Sequence, residues 1–175
     1  FDPQEKEIEM YRLALEILPT FLKSRNNLGV ALRRRGRIDE AIEQYKLALE
    51  QDPKYVEARS NLGTAYYNQG LTEKALAEYR LASEYAGSDG YVHERLGLTL
   101  FRLGRYEEAI KQFRKALSKE AELADSQYYL GECYRSLGDE KKATEAYAAA
   151  LEIDPNYLAA RARLEQLSLP GGPPR

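Results

Sequence analysis

The chain has 175 residues, a net charge of −2, and both signs of charge interspersed over 31% of its positions. That balance gives a soluble surface and leaves no basic footprint for nucleic acid. A single cysteine excludes an internal disulfide framework and a multi-cysteine metal site, and no apolar run approaches the ~18 residues of a membrane-spanning helix.

Residues 2–18 read as a helix. Asp2 can cap it, Pro3 suits its first position, Glu5 completes a capping box, and Ile8, Tyr11, Leu15 and Leu18 recur at helical spacing. The next stretch, 22–55, reads as two helices, about 23–35 and 38–51. Gly36 falls where the first must end in a left-handed residue. Asp39 and Glu40 sit at the positive start of the second, and Pro53 ends it. Leu28, Leu32, Tyr45 and Leu49 supply the apolar stripe, and Gly29 and Ala41 are small where the paired helices approach.

The chain then restates this unit. Leu62-Gly63, Leu96-Gly97 and Leu130-Gly131 follow Leu28-Gly29 at a constant 34-residue step. Gly70, Gly104 and Gly138 follow Gly36, then Ala75, Ala109 and Ala143 follow Ala41, and Tyr79, Phe113 and Tyr147 follow Tyr45. Ala82, Ala116 and Ala150 repeat Ala48, and Pro155 repeats Pro53. Full units therefore occupy 22–55, 56–89, 90–123 and 124–157. Counting back, Tyr11, Ala14 and Pro19 align with Tyr45, Ala48 and Pro53, so residues 1–21 carry the second helix of a unit whose first helix is missing. Its apolar face calls for a cover, from more protein upstream or from another molecule.

The unit at 56–89 ends in Ala86-Gly87-Ser88-Asp89-Gly90 rather than a proline turn, which predicts the most flexible joint of the chain. The unit at 90–123 has Ala121 at the proline position, so its second helix is expected to run past 119. Residues 158–167 read as a polar capping helix with Glu165 replacing the packing glycine, and 168–175 as a disordered tail.

The period and the recurring residue types resemble the tetratricopeptide repeat family over nearly the whole length. The resemblance implies an all-α, right-handed α-solenoid (superhelix) of antiparallel helix pairs in 34-residue units. It also implies a non-enzymatic protein-interaction module that needs no cofactor. In the family, first helices line a concave groove that binds peptides. Positions two, five, six, nine, twelve and thirteen of each unit share that face. Across the units they select Lys23, Asn26, Asn27, Arg34, Asn61, Thr64, Tyr67, Tyr91, Glu94, Arg95, Tyr128 and Tyr129 as peptide contacts. These positions differ from unit to unit while the packing positions hardly vary. Asparagine pairs with an extended backbone, and tyrosine gives area at low entropic cost.

The family's carboxylate clamp is rejected: its five places hold Asn26, Val30, Asn61, Tyr91 and Arg95, of which only Asn61 and Arg95 match. An asparagine ladder is only begun by Asn27 and Asn61. A backbone clasp by those two, with Arg95 taking a carboxylate, is the expectation that stands. His93 at position four reads as helix packing because no second histidine or nucleophile accompanies it. Cys133 fills a small-residue slot, and the Arg33–Arg37 run closes a helix where cations are favoured.

The partner is thus expected to be a protein or peptide, not nucleic acid or a membrane. A rival is a self-assembling scaffold, a homodimer through the termini using Ile8, Tyr11 and Leu15. A third reading is a regulatory or substrate-presenting domain of a larger protein, since the chain begins at Phe1 rather than Met. No leader is visible, and a cytoplasmic rather than secreted setting is expected.

Overall fold

A computed structural model describes residues 2–85 and 89–168, with the side chain of Gln4 excepted. These residues form helices joined by short turns, with no strand among them. They divide into two compact units, 1–87 and 88–175. The first unit holds α1 (Pro3–Ile17), α2 (Leu22–Arg34), α3 (Ile38–Gln51), α4 (Val56–Asn68) and α5 (Thr72–Tyr85). The second holds α6 (Gly90–Arg102), α7 (Tyr106–Lys119), α8 (Ala124–Ser136), α9 (Glu140–Ile153) and α10 (Leu158–Ser168). Of the expected flexible joint at 86–90, residues 86–88 lie outside the described residues, while Asp89 caps α6 and Gly90 opens it. Of the expected disordered tail at 168–175, residues 169–175 lie outside the described residues, while Ser168 is the last residue of α10.

Within the first unit each helix packs on the next in sequence, and α2 also meets α4. The second unit repeats this, with α6 meeting α8. First and second helices of a repeat form the tightest pairs because a glycine on one faces a ring on the other. The rings of Tyr45, Tyr79, Phe113 and Tyr147 are 0–1% exposed. A methyl added at Gly29 would be driven into the Tyr45 ring, and one at Gly131 would reach 2.5 Å from the Tyr147 ring. At Gly63 the same methyl would stand 3.0 Å from the Tyr79 ring.

The turn inside each repeat is set by a glycine. Gly36 has φ 75°, a region where a side chain costs roughly 1–2 kcal/mol. Its N–H donates to the Arg33 carbonyl at 3.0 Å, and Arg37 N–H donates to the Leu32 carbonyl at 3.0 Å. That is a Schellman closure. Gly70, Gly104 and Gly138 repeat it with φ between 72° and 80°.

The turn between repeats has a second device that the residue pattern shows only in retrospect. Arg25 donates to the Pro19 carbonyl at 2.8 Å, Arg59 to Pro53 at 2.5 Å and Arg161 to Pro155 at 2.5 Å. Where the proline is absent, at Gly87 and Ala121, the same position holds His93 and Gln127 instead of arginine. His93 Nδ1 then pairs with Gln112 Oε1 of α7 at 3.0 Å, so it packs helices as expected.

One boundary departs from expectation. Helix α7 stops at Lys119, in register with Gln51 and Ile153, although Ala121 is no proline. Glu120 turns to extended backbone (φ −132°, ψ 101°), as Asp52 and Asp154 do. Packing of α8 back onto α7 fixes the end without help from a proline.

The glycine–ring approach generates a test. Alanine gains about 1 kcal/mol of helix propensity over glycine, while overpacking a core costs about 1–3 kcal/mol. Gly29→Ala should therefore lose roughly 1–2 kcal/mol net, and Gly63→Ala should be near neutral. Urea unfolding of the two variants checks the order; equal losses, or the reverse order, would contradict it.

Candidate interaction surface

The first helices carry most of the selected side chains, and the structure sorts them by burial. Lys23 and Arg34 are exposed, Asn27, Asn61, Thr64 and Tyr67 are half-buried, and Asn26 is buried. In the second unit Tyr91 is exposed at 41%, Arg95, Tyr128 and Tyr129 are half-buried, and Glu94 is buried.

Two selected positions need correction. Asn26 accepts a hydrogen bond from Asn61 Nδ2 at 2.9 Å, and Glu94 accepts one from Ser126 Oγ at 2.7 Å. Asn26 and Glu94 therefore turn toward the next first helix, and their polar atoms join neighbouring repeats. Asn61 stays nearer to solvent than Asn26 or Glu94.

Other selected residues do come together. The Arg95 guanidinium lies 5.0 Å from the Tyr91 ring centre, and its buried Nε has no hydrogen-bond acceptor. Tyr128 meets Tyr129 edge-on at 5.2 Å and Tyr157 at 5.2 Å, and Tyr129 meets Phe101 at 5.3 Å. Arg34 instead turns toward Glu7 of α1, 3.9 Å away. The rest of that basic run behaves likewise: Arg35 pairs with Asp2 at 2.7 Å, and Arg37 with Glu5 at 3.3 Å and Glu40 at 2.6 Å. Exposed pairs of this kind contribute little stability each, but together they fix how α1 lies on α2.

The self-association residues also move. Ile8 is fully buried, and Tyr11 and Leu15 are half-buried, because α1 packs on α2. The apolar residues that α1 leaves exposed are Met10 (63%), Leu13 (57%) and Ile17 (77%), at helical spacing.

Position nine of the second, third and fourth full repeats shows how the core writes the surface, whereas the first has Val30 opposite Tyr45. A core tyrosine ring that covers the packing glycine brings its hydroxyl to position nine. Thr64 Oγ1 pairs with Tyr79 Oη at 2.8 Å. Leu98 stands in the repeat whose ring is Phe113, which has no hydroxyl to satisfy. In the last full repeat Tyr147 donates its hydroxyl to Glu132 Oε1 at 2.5 Å. Glu132 also accepts from Arg135 at 3.0 Å and from Arg163 of α10 at 2.8 and 3.2 Å.

Glu132 is 5% exposed. Burial by itself raises its pKa, but the hydrogen bonds from Arg135, Tyr147 and Arg163 outweigh it and hold the carboxyl below the ordinary 4.5. Burial and then the adjacent Glu132 charge push the Cys133 thiol up to about 12, so it stays protonated and inert. Among the described residues no group of three His, Cys, Asp or Glu is placed to hold a metal ion. No helix among them is long and apolar enough to cross a membrane.

Comparison with known proteins agrees with this geometry. Family models described as TPR repeat and tetratricopeptide repeat match residues 29–70, 56–89 and 94–158. The crystal structure of MamA is similar at 30% identity and TM-score 0.76, over 80% of this chain and 81% of that one. A second MamA crystal structure is 29% identical with TM-score 0.78, over 83% and 79% of the two chains. MamA 41-end from Desulfovibrio magneticus RS-1 shares the fold at 19% identity and TM-score 0.79, over 88% and 87%. No curated protein sequence matches. The chain belongs to the tetratricopeptide repeat family, and its general role is that of a protein–protein interaction scaffold.

The Glu132 cluster predicts a pH dependence of α10 docking. A carboxyl with a lowered folded pKa adds stability above its unfolded pKa, and loses it as pH falls through the folded value. Thermal unfolding of the wild type should therefore weaken as pH falls from about 5 toward 3, and Glu132→Gln should flatten that slope. An unchanged slope in Glu132→Gln would remove Glu132 as its source.

Proposed function

We propose that the chain captures an extended peptide or a helix of a partner protein on the first-helix faces of its repeats. The observation that carries this is the row of solvent-reaching polar and aromatic side chains there: Lys23, Asn27, Asn61 and Tyr67 in one unit, Tyr91, Arg95, Tyr128 and Tyr129 in the other. None is needed at its position by the helix-pairing pattern, since other repeats hold unrelated residues there. Tyrosine and arginine are the side chains that most often dominate such interfaces, and Arg95 has donors to offer beside the Tyr91 ring.

A photo-cross-linking residue at Lys23 or Tyr91 should couple to a protein partner in the source extract. One placed at the exposed second-helix residues Lys46 or Lys111 should not. Tyr91→Ala with Arg95→Ala should weaken capture of that partner by roughly tenfold or more, with melting unchanged. Coupling from Lys46 or Lys111 alone would move the interface to the second helices.

A second reading rests on α1. Its Met10, Leu13 and Ile17 form an exposed apolar stripe that suits packing against a second copy of the chain. Met10→Glu with Leu13→Glu should then convert a dimer to a monomer in sedimentation. Charging Ile8 would be uninformative, because it is buried against the chain's own core.

A further inference from the structure

The described residues begin and end in half a repeat, and the two halves are complementary. Among them α1 is a second helix with no first helix packed before it, and α10 is a first helix with no second helix after it. Counting in 34-residue steps, Tyr11 and Ala14 of α1 stand at the places of Tyr45 and Ala48, and Leu164 of α10 stands at that of Leu28. In the full repeat Tyr45, Ala48 and Leu28 are 0–3% exposed, whereas Tyr11, Ala14 and Leu164 are only half-buried. The α10 of one copy laid on the α1 of another would therefore complete a repeat. Such a head-to-tail joint uses different surfaces on the two copies, so it can recur from copy to copy into a filament.

Two side chains break that match, one at each end. First helices of the full repeats have Gly29, Gly63, Gly97 and Gly131 at the close approach, and α10 has Glu165 there. Second helices have Ala41, Ala75, Ala109 and Ala143, each 0% exposed, and α1 has Glu7 at that place. A single methyl carbon at Gly97 would already stand 2.8 Å from the Phe113 ring, so a glutamate in the same slot holds a second helix off. Glu165 is exposed. Glu7 accepts the Tyr11 hydroxyl at 3.4 Å and lies 3.9 Å from Arg34, beside the face that a first helix would cover. Docking the two ends would bring both carboxylates into one joint and strip water from them, which costs repulsion and desolvation together.

We infer that Glu7 and Glu165 are stops that keep copies of this chain from stacking end to end. What they exclude is a second copy, because both faces of the joint otherwise carry this chain's own repeat pattern. The other polar residues of α10 have different tasks: Arg163 holds Glu132 of its own chain, and Arg161 holds the Pro155 carbonyl. Glu165 makes no such bond, and its place in the register gives it this one. The inference is independent of peptide capture on the first helices. It is independent also of a closed dimer through Met10, Leu13 and Ile17, which joins α1 to α1 and ends at two copies.

Sedimentation of the full chain over a range of concentrations tests it. Glu7→Ala with Glu165→Gly restores both small residues, and its mass should climb past two copies and keep climbing with concentration. The wild type should hold at one or two copies throughout. Each restored slot should tighten the joint by about tenfold. Mixing the single variants reads the direction: a Glu165→Gly copy should bind a Glu7→Ala copy about tenfold more tightly than either binds itself. Glu165→Ala keeps the helix propensity of α10 and should act in the same direction more weakly, which guards against fraying of that helix. Adding Ala14→Glu to the double variant should return it to the wild-type mass. A double variant that stays at the wild-type mass, whether built with Glu165→Gly or Glu165→Ala, would overturn the inference. So would growth that survives Ala14→Glu, or a wild type that already grows beyond two copies.

Discussion

Everything in each repeat follows from a ring laid against a glycine. The second helix must come close enough to bury Tyr45, Tyr79, Phe113 or Tyr147 almost completely, and a residue without a side chain on the first helix makes room for it. Dispersion and apolar burial drive the contact. Their geometry then determines where the tyrosine hydroxyl emerges, and a buried hydroxyl demands a partner. Thr64 and Glu132 meet that demand, and Leu98 stands where Phe113 makes none. A core constraint thus reaches outward and sets the chemistry of a position on the first-helix face. The link runs from packing in the core to which side chain reaches the first-helix face.

The polar bonds between repeats explain how the units hold their ends. A repeat stack is stabilised by nearest neighbours alone, so the last element is the weakest point. Helix α10 buries only Ala160 fully and leaves Leu158 73% exposed. Its grip comes from Arg163 on Glu132 and from Tyr157, whose hydroxyl donates to Asp125 at 2.5 Å. Helix α1 is held differently, by Ile8 in the core and by the arginines that close α2 and open α3. One end relies on a buried carboxylate, the other on apolar burial with exposed ion pairs, so acid and salt should loosen them differently.

The helix pairing and the positive-φ glycines were legible in the sequence, because each recurs at a constant step and has one physical cause. The first-helix surface was legible only as a face. A helical period places Asn26 and Glu94 on it, but both lie at its edge, and only the next helix in space shows that they face a neighbour. The same ambiguity separates Arg33 from Arg34. Adjacent residues differ by about 100° on the helix, and the sequence does not say which one α1 will neutralise. The sequence pattern puts Ile8 on the face that a missing first helix would bare. Yet within each unit a second helix also packs on the first helix that follows it, as α1 does on α2, and that contact buries Ile8 while Met10, Leu13 and Ile17 stay outside. The end of α7 at Lys119 is hidden from the sequence for a related reason: a turn can form where no proline imposes it.

The most direct test of recognition through the first helices is backbone amide chemical-shift mapping of the chain with a peptide of the captured partner added. Shifts concentrated at Asn27, Asn61 and Tyr67 of α2 and α4, with α3 residues such as Glu43 and Lys46 unmoved, are the predicted result. Shifts confined to α3 and α5 would contradict it, and would mean that the varied side chains of the first helices are a solvated face without a ligand.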